Sequence, residues 1–242
     1  MAFKRNITRR NFLMASVVAI PMSQFILRDA SAAYVTEMAA PDLNDYTPTF
    51  FNADEWKFIL AATDLIIPAG GEGKAPGALE TNVPIFIDQQ LKSDDYGKEI
   101  YMEGPFYTNL PKEKGYQIPF YPQKIYQRGI DLTNQWCQQT FNKPFSELTA
   151  KQQQDTLQKL EAGTVDFTPF GENDLKSEQF FAALLDDTKN GYLSDPMYGG
   201  NKGMKAWIAI GFPGARASFT EWVKQHNVEY PLGPVSLLGE RA

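Results

Sequence analysis

Residues 52–68 read NADEWKFILAATDLIIP, and this stretch predicts the first helix of the chain. Asn52 is followed by Glu55 at the spacing of a capping box, in which each side chain accepts a hydrogen bond from the other residue's backbone N–H. Apolar residues then recur at helical spacing until Pro68 and the glycines after it end the helix. The residues expected to share one face are Trp56, Ile59, Leu60, Thr63 and Ile67.

Four further helices are predicted from similar start and stop signals. They begin at Asn82-Val83-Pro84, cover about 122–141 with Gly129 at a close crossing, run from a Thr149–Gln152 capping box to Gly163, and cover 174–190 with Gly191 as C-cap. The alternation of apolar and polar residues that is typical of strands is scarce, so any sheet should be minor.

The sequence therefore predicts a mainly α fold, a single compact helical domain over residues 50–242 with long Gly/Pro/aromatic-rich loops. Residues 33–49 are expected to form an extended lead-in. The composition agrees, because 43% hydrophobic and 21% charged residues are ordinary for a globular domain. A net charge of -6 over 242 residues leaves no basic surface for a phosphate backbone, so we expect no nucleic-acid binding.

The amino terminus is predicted to be an export signal covering residues 1–32. Arg9 and Arg10 precede Phe12-Leu13 and a nine-residue apolar run, and small residues at Ala30 and Ala32 suit a cleavage region. The paired arginines indicate the twin-arginine type, with an ordinary secretory signal as the alternative. The run is short against the roughly 20 residues that span a bilayer, which disfavours a retained anchor. We expect a periplasmic protein.

The sequence offers little catalytic chemistry. The only histidine, His226, and the only cysteine, Cys137, cannot form a disulfide framework, a Cys/His zinc site or a CxxCH haem attachment. His226 is expected on the surface and Cys137 inside. The acid pairs Asp94-Asp95 and Asp186-Asp187 are expected to be solvated helix ends, and the Gly-rich residues 70–77 lack a phosphate-loop pattern and are expected to form a turn. We predict no catalytic, cofactor-binding or metal-binding residue.

The segment from Asp195 to Arg216 is the unusual part of the chain. Its aromatic residues Tyr198, Trp207 and Phe212 lie among several glycines and two prolines, a composition that disfavours regular structure. A connecting role for so long a segment would be uncommon. It could pack on the body of the protein or present aromatic anchors to a partner, and the sequence leaves both open.

Several motifs together resemble the small subunit of gluconate 2-dehydrogenase, known as subunit 3 or gamma, over about residues 50 to 240. They are Asp64-Leu65-Ile66-Ile67-Pro68, Pro76-Gly77-Ala78, Val83, Phe86-Ile87-Asp88, Asp195-Pro196-x-Tyr198-Gly199-Gly200-Asn201, Trp207-x-x-Ile210-Gly211-Phe212-Pro213-Gly214-Ala215-Arg216 and Tyr230-Pro231-x-Gly233-Pro234-Val235-Ser236. Ala206 departs from the family, which usually has Gly before the Trp.

The resemblance implies a heterotrimer on the periplasmic face of the bacterial inner membrane that oxidises D-gluconate to 2-dehydro-D-gluconate. A large subunit would hold FAD, a multihaem cytochrome c subunit would pass electrons to ubiquinone, and the small subunit would engage the twin-arginine translocation machinery and assist export, maturation or assembly of the flavin subunit. The isolated chain would then be inactive. Related sorbitol, fructose or 2-ketogluconate dehydrogenases, or an independent periplasmic enzyme or binding protein, are the alternatives.

Overall fold

The structure is a computed structural model, and it describes residues 41–70, 75–93, 104–107, 110–114, 117–228 and 230–242. The predicted export signal, with Arg9, Arg10, Phe12, Leu13, Ala30 and Ala32, lies outside the described residues. So do the first part of the predicted lead-in and the pair Asp94-Asp95.

The described chain is mainly helical and forms one domain, as predicted. Its six α-helices are α1 (Ala53–Ile66), α2 (Val83–Lys92), α3 (Pro122–Phe141), α4 (Ala150–Glu161), α5 (Ser177–Leu193) and α6 (Lys205–Ile210). In the described residues, β structure is limited to isolated bridges that join Val235 to Gly214 and to Arg241. Within these same ranges, no helix has the length and apolarity needed to cross a membrane.

Both predicted capping boxes are confirmed. The Asn52 side chain accepts from the backbone N–H groups of Asp54 and Glu55, and Glu55 Oε2 accepts from the Asn52 N–H at 2.9 Å. Thr149 and Gln152 make the same reciprocal pair at the start of α4. These local bonds satisfy backbone donors that have no partner within the helix, which fixes where α1 and α4 begin.

The buried face of α1 differs in part from the prediction. Ile59 and Thr63 are buried as expected, but Phe58 and Ala62 are buried beside them while Leu60 is only partly buried. Thr63 is accommodated because its hydroxyl donates to the Ile59 carbonyl at 2.8 Å. The helix is therefore turned so that the ring of Phe58 points into the core.

Helix α5 is the centre of the domain, because it packs against all five other helices. The rings of Phe58 and Phe145 lie 4.5 Å apart, and Phe180 of α5 meets Tyr126 of α3 edge-on at 6.1 Å. A Cβ at Gly129 would overlap the Phe180 ring, so the predicted close crossing at this glycine is confirmed. The absence of a side chain lets α3 and α5 approach closely.

Two predictions for α5 are wrong at its ends. It covers 177–193 rather than 174–190, because Glu172 Oε1 accepts the N–H groups of Asp174 and Leu175 in a turn before the helix. Gly191 is not the C-cap but lies inside the helix, where a Cβ would come within 2.7 Å of the Phe86 ring. Gly191 therefore allows α5 to pack closely on Phe86 and does not end the helix.

Asp187 is also placed differently from the prediction. The pair Asp186-Asp187 was expected to be a solvated helix end, and Asp186 is indeed exposed and pairs with Lys189 at 2.7 Å. Asp187, however, is 7% exposed and accepts a hydrogen bond from the Tyr126 hydroxyl at 2.8 Å. Adjacent positions on a helix face different directions, so one acid faces solvent and the other faces α3.

The lead-in is fastened to α2 through one carboxylate. Asp88 is fully buried, and its Oδ2 accepts from the Tyr46 hydroxyl and from the N–H and hydroxyl of Thr49 at 2.7 to 2.9 Å. Its Oδ1 accepts from the N–H groups of Phe50 and Phe51, both at 3.0 Å. Burial alone would raise the pKa of Asp88, but these hydrogen bonds outweigh it and hold the pKa below its ordinary value.

Candidate functional site

The segment with the family motifs begins where α5 ends and folds back onto that end. Trp207 Nε1 donates to the Leu193 carbonyl at 2.8 Å, and Asn201 Nδ2 donates to the Ser194 carbonyl at 3.0 Å. Carbonyls at a helix C-terminus have no partner within the helix. The side chains of Trp207 and Asn201 therefore satisfy the end of α5 and hold the segment in place.

Asn201 organises the segment from inside. It is fully buried in the left-handed backbone region at φ 43°, a conformation that asparagine tolerates better than most residues. Its Oδ1 accepts the N–H of Ala206 at 2.9 Å. Ala206 is itself fully buried, so this departure from the family pattern places a methyl group in the interior without removing the bond to Asn201.

Gly199 and Gly200 allow the chain to turn back tightly onto α2 and α5. Gly199 has φ 89°, which favours glycine, and a Cβ there would overlap the side-chain carbonyl of Gln89. At Gly200 a Cβ would overlap the carbonyl oxygen of Gly191 in α5. The motif thus requires two residues without side chains because the turn packs directly on α2 and α5.

Helix α6 is a correction, since five helices were predicted and this part was expected to be irregular. Its six residues end at Gly211, and the Phe212 N–H donates to the Trp207 carbonyl at 2.9 Å. The stop signal, Gly211 followed by Pro213, was visible in the sequence. The helix was missed because so short a segment shows no periodicity, and because it is stabilised by the bond from Trp207 to α5.

Asp195 connects the segment to the C-terminal tail, residues 230–242. Its carboxylate is 7% exposed, and it accepts from the N–H of Met197 at 3.1 Å and from the N–H of Leu237 at 2.7 Å. The first bond caps the short helical turn Pro196–Tyr198. The second reaches 42 residues along the chain, which sequence spacing could not reveal.

The C-terminal tail also contacts the end of the segment, mainly through hydrogen bonds. The Ala215 N–H donates to the Val235 carbonyl at 2.7 Å, and the Val235 N–H donates to the Pro213 carbonyl at 3.2 Å. The Arg216 guanidinium lies 5.3 Å from the centre of the Tyr230 ring and donates to the Gly233 carbonyl at 2.6 Å. Residues 213–216 are therefore fixed by the tail.

The aromatic residues of the segment lie in different environments. Trp207 is 6% exposed and meets Phe212 edge-on at 5.0 Å, whereas Phe212 and Tyr198 are 44% and 46% exposed. Among the described residues, thirteen large apolar side chains are exposed, and ten of them lie between Leu193 and Leu237. A concentration of exposed apolar side chains in one part of a soluble domain typically marks an interaction site.

The single histidine and the single cysteine of the chain lie outside residues 195–216. His226 is exposed and Cys137 is fully buried, both as predicted. Burial raises the pKa of the Cys137 thiol to about 12, although a hydrogen bond with Thr156 acts in the opposite direction. Across the described ranges, no group of three or more His, Cys, Asp or Glu residues comes together as a metal site.

The Gly-rich stretch 70–77 is described only at Gly70 and at residues 75–77, and the middle of the predicted turn lies outside the described residues. The Gly70 N–H donates to the Ala75 carbonyl at 3.0 Å, and the Gly77 N–H donates to Glu80 Oε2 at 2.8 Å. A groove of about 380 Å³ lies between α6, which contributes Lys205 and Ile208, and the described residues on both sides of this stretch, Ala69, Gly70, Ala75, Pro76 and Glu80. The groove therefore borders the exposed apolar residues.

A comparison with protein families matches residues 53–214 to the model described as gluconate 2-dehydrogenase subunit 3. The chain belongs to the gluconate 2-dehydrogenase subunit 3 family. The match begins at α1 and ends at Gly214, so it includes all six described α-helices and most of the segment from Asp195 to Arg216. Neither the curated proteins nor the solved structures gave a match. As the family's description states, its members are subunits of an oxidoreductase, which implies a complex of several chains.

Proposed function

We propose that this chain is the small accessory subunit of a membrane-associated, periplasm-facing dehydrogenase complex that oxidises D-gluconate to 2-dehydro-D-gluconate. The family match over residues 53–214 supports the assignment to a gluconate 2-dehydrogenase. The observation that carries the accessory role is the concentration of exposed apolar side chains between Leu193 and Leu237, four of which lie in the motif segment from Asp195 to Arg216. Such side chains lose contact with water when a partner covers them, which favours association.

The redox groups belong, in this proposal, to the partner subunits. FAD is held by a large dehydrogenase subunit, and haem c by a multihaem cytochrome subunit. Covalent c-type haem attachment uses two cysteines in a CxxCH motif, whereas this chain has Cys137 alone. The role of this chain is to assist export, maturation or assembly of the flavin subunit, with Arg9 and Arg10 directing the pair to the twin-arginine translocation machinery.

Contacts with the flavin subunit are assigned to the exposed members of the motif segment. Tyr198 and Phe212 present their rings to solvent, together with Ile208 and Ile210 at 53% and 60% exposure. Trp207 supports them from beneath, because it is buried and fixed to the end of α5. Aromatic side chains on a rigid scaffold are efficient anchors, since little conformational entropy is lost when they bind.

The proposal is tested by purification from native membranes in mild detergent with a tag after Ala242. Flavin and c-type haem absorbance should co-elute with gluconate dehydrogenase activity in the presence of an artificial electron acceptor. A preference for sorbitol, fructose or 2-ketogluconate in the same eluate would assign the chain to one of those related complexes. A colourless, inactive eluate would refute the accessory role and favour an independent periplasmic protein.

A matched pair of variants tests the contact residues. Phe212→Asp should reduce the flavin that co-elutes, because it places a charge where an apolar ring is covered. Tyr121→Asp is the control, since Tyr121 is also exposed, at 37%, but lies at the start of α3. Equal flavin recovery with both variants, at unchanged melting temperature, would contradict the assignment of Phe212.

A further inference from the structure

The C-terminal tail joins the two ends of the motif segment. At the start of the segment, Asp195 Oδ2 accepts the N–H of Leu237 at 2.7 Å. At its end, the Ala215 N–H donates to the Val235 carbonyl, also at 2.7 Å. Asp195 and Ala215 are 20 residues apart along the chain, whereas their partners in the tail are only two residues apart. The tail therefore holds both ends of the segment at one place.

The internal structure of the tail suits it to this role. The tail turns back on itself where the Gly239 N–H donates to the Ser236 carbonyl at 3.0 Å. The Ser236 N–H donates to the Glu240 carbonyl at 3.0 Å, and the Glu240 N–H donates to the Ser236 hydroxyl at 3.1 Å. Ser236, at the centre of these bonds, is 2% exposed. Because the bonds lie within the tail, its two neighbours Val235 and Leu237 are presented as one unit.

The last residues of the motif segment depend on the tail. In the described part of the chain, the hydrogen bonds that join residues 213–216 to the rest of the protein all go to Val235 or Gly233. The fit is close, because a Cβ at Gly214 would overlap the carbonyl of Val235. The described helices supply none of these hydrogen bonds. The tail can therefore be released without any loss of hydrogen bonds within the helical domain.

We propose that the C-terminal tail is a strap that closes the motif segment, and that the flavin subunit binds the closed form. The second part of this inference rests on the proposed function. When the strap is released, residues 213–216 lose their partners and the Asp195 carboxylate loses one of its two hydrogen bonds. The exposed rings of Tyr198 and Phe212 lie close to these two sites in the chain. Binding must then order them again, and the apparent affinity falls with the fraction of chains that are closed.

Coupling between the two ends of the segment tests the strap on the full chain without any partner. Leu237→Pro removes the N–H that binds Asp195, and residue 237 is the second residue of a turn, a position that proline favours. Leu237→Ala is the matched control, because it loses the same side chain and keeps the N–H. Leu237→Pro should raise the hydrogen-exchange rate of the Ala215 amide at least tenfold while exchange in α1 to α5 is unchanged. Leu237→Ala should leave the Ala215 rate as it is.

A second variant alters the same hydrogen bond from its other side. Asp195→Ala removes the acceptor, leaves the sequence of the tail intact, and should raise exchange at Ala215 to a similar degree. Unchanged exchange at Ala215 in either Asp195→Ala or Leu237→Pro would overturn the strap, because the two ends would then be held independently. A rise that extends through α1 to α5 would also overturn it, because the tail would then be part of the helical domain.

The second part is tested by purification of the complex as above. Leu237→Pro should lower the flavin recovered per chain severalfold relative to Leu237→Ala. Faster exchange at Ala215 with equal flavin recovery from both variants would overturn the binding of the closed form and leave the proposed function intact. No flavin with the unaltered chain would overturn the proposed function and the second part together, whereas the exchange rates would still decide whether the tail is a strap.

Discussion

Replacement of Asp88 by asparagine should destabilise the domain, although the two side chains have nearly the same shape. The carboxylate accepts five hydrogen bonds while fully buried. An amide keeps only one acceptor oxygen. In its best orientation that oxygen still accepts from Phe50 and Phe51, and the amide N–H₂ donates to the hydroxyls of Tyr46 or Thr49 after they rotate. The backbone N–H of Thr49 then has no acceptor.

The expected loss follows from these contacts. A buried donor without a partner costs about 1 to 3 kcal/mol. The remaining bonds also become neutral, and bonds to an ionised acceptor are about twice as strong as neutral ones. We expect Asp88→Asn to lower the free energy of unfolding by about 2 to 4 kcal/mol near pH 7. Asp64→Asn alters an exposed carboxylate of α1 and should change the free energy of unfolding by less than about 0.5 kcal/mol.

The pH dependence gives an independent check of the same reasoning. Because the pKa of Asp88 is lower in the folded state, the ionised carboxylate stabilises the fold above its unfolded-state pKa of about 3.9. That contribution is lost as the pH falls through the folded-state pKa. The difference between the native protein and Asp88→Asn should therefore be largest near pH 7 and shrink toward pH 3.

Urea unfolding followed by tryptophan fluorescence at several pH values measures both effects. Every other carboxyl group is present in both proteins, so its titration cancels in the comparison. A loss below about 1 kcal/mol at pH 7, or a difference that grows as the pH falls, would refute the argument that the ionised Asp88 fastens the lead-in.

Three further predictions concern other parts of the chain. Gly129→Ala should lower the free energy of unfolding by about 1 to 3 kcal/mol because its methyl group overlaps an aromatic ring, whereas Gln135→Ala on the exposed side of α3 should change it little in the same urea titration. Cys137 should resist a thiol reagent at pH 8 in the native protein and react rapidly in urea, because it is buried with a raised pKa; fast native labelling would contradict its placement. Replacing Arg9 and Arg10 by lysine should keep dehydrogenase activity out of the periplasm, and undiminished periplasmic activity would argue against the escort role.

Local signals predicted most of the helical fold. The capping pairs at Asn52 and Thr149 each lie within one turn, so their meaning does not depend on the rest of the chain. The end of α5 was misplaced because Gly191 is used for close packing, which is indistinguishable in sequence from a C-cap. The prediction that Asp187 is solvated was wrong because its partner, Tyr126, is 61 residues away and leaves no signal near Asp187 in the sequence.

The sequence indicated which residues form the candidate site, but not how their side chains are arranged. The aromatic and glycine content of residues 195–216 indicated a special role. That Trp207 is buried while Tyr198 and Phe212 are exposed follows from the bond between Trp207 and the end of α5. Long-range contacts of this kind, including the one from Leu237 to Asp195, carry no periodic signal. They become visible only when the helices are assembled.

Among the described residues, none after Tyr192 belongs to the main core, and this has a consequence for mutational tolerance. A substitution at an exposed position after Gly214, such as Val223, removes no packing from the centre of the domain, so its effect on folding should be small. The family match ends at Gly214, before these positions. The C-terminal part that lies outside the family match is therefore also a part whose exposed side chains can be exchanged at little cost to the helical domain.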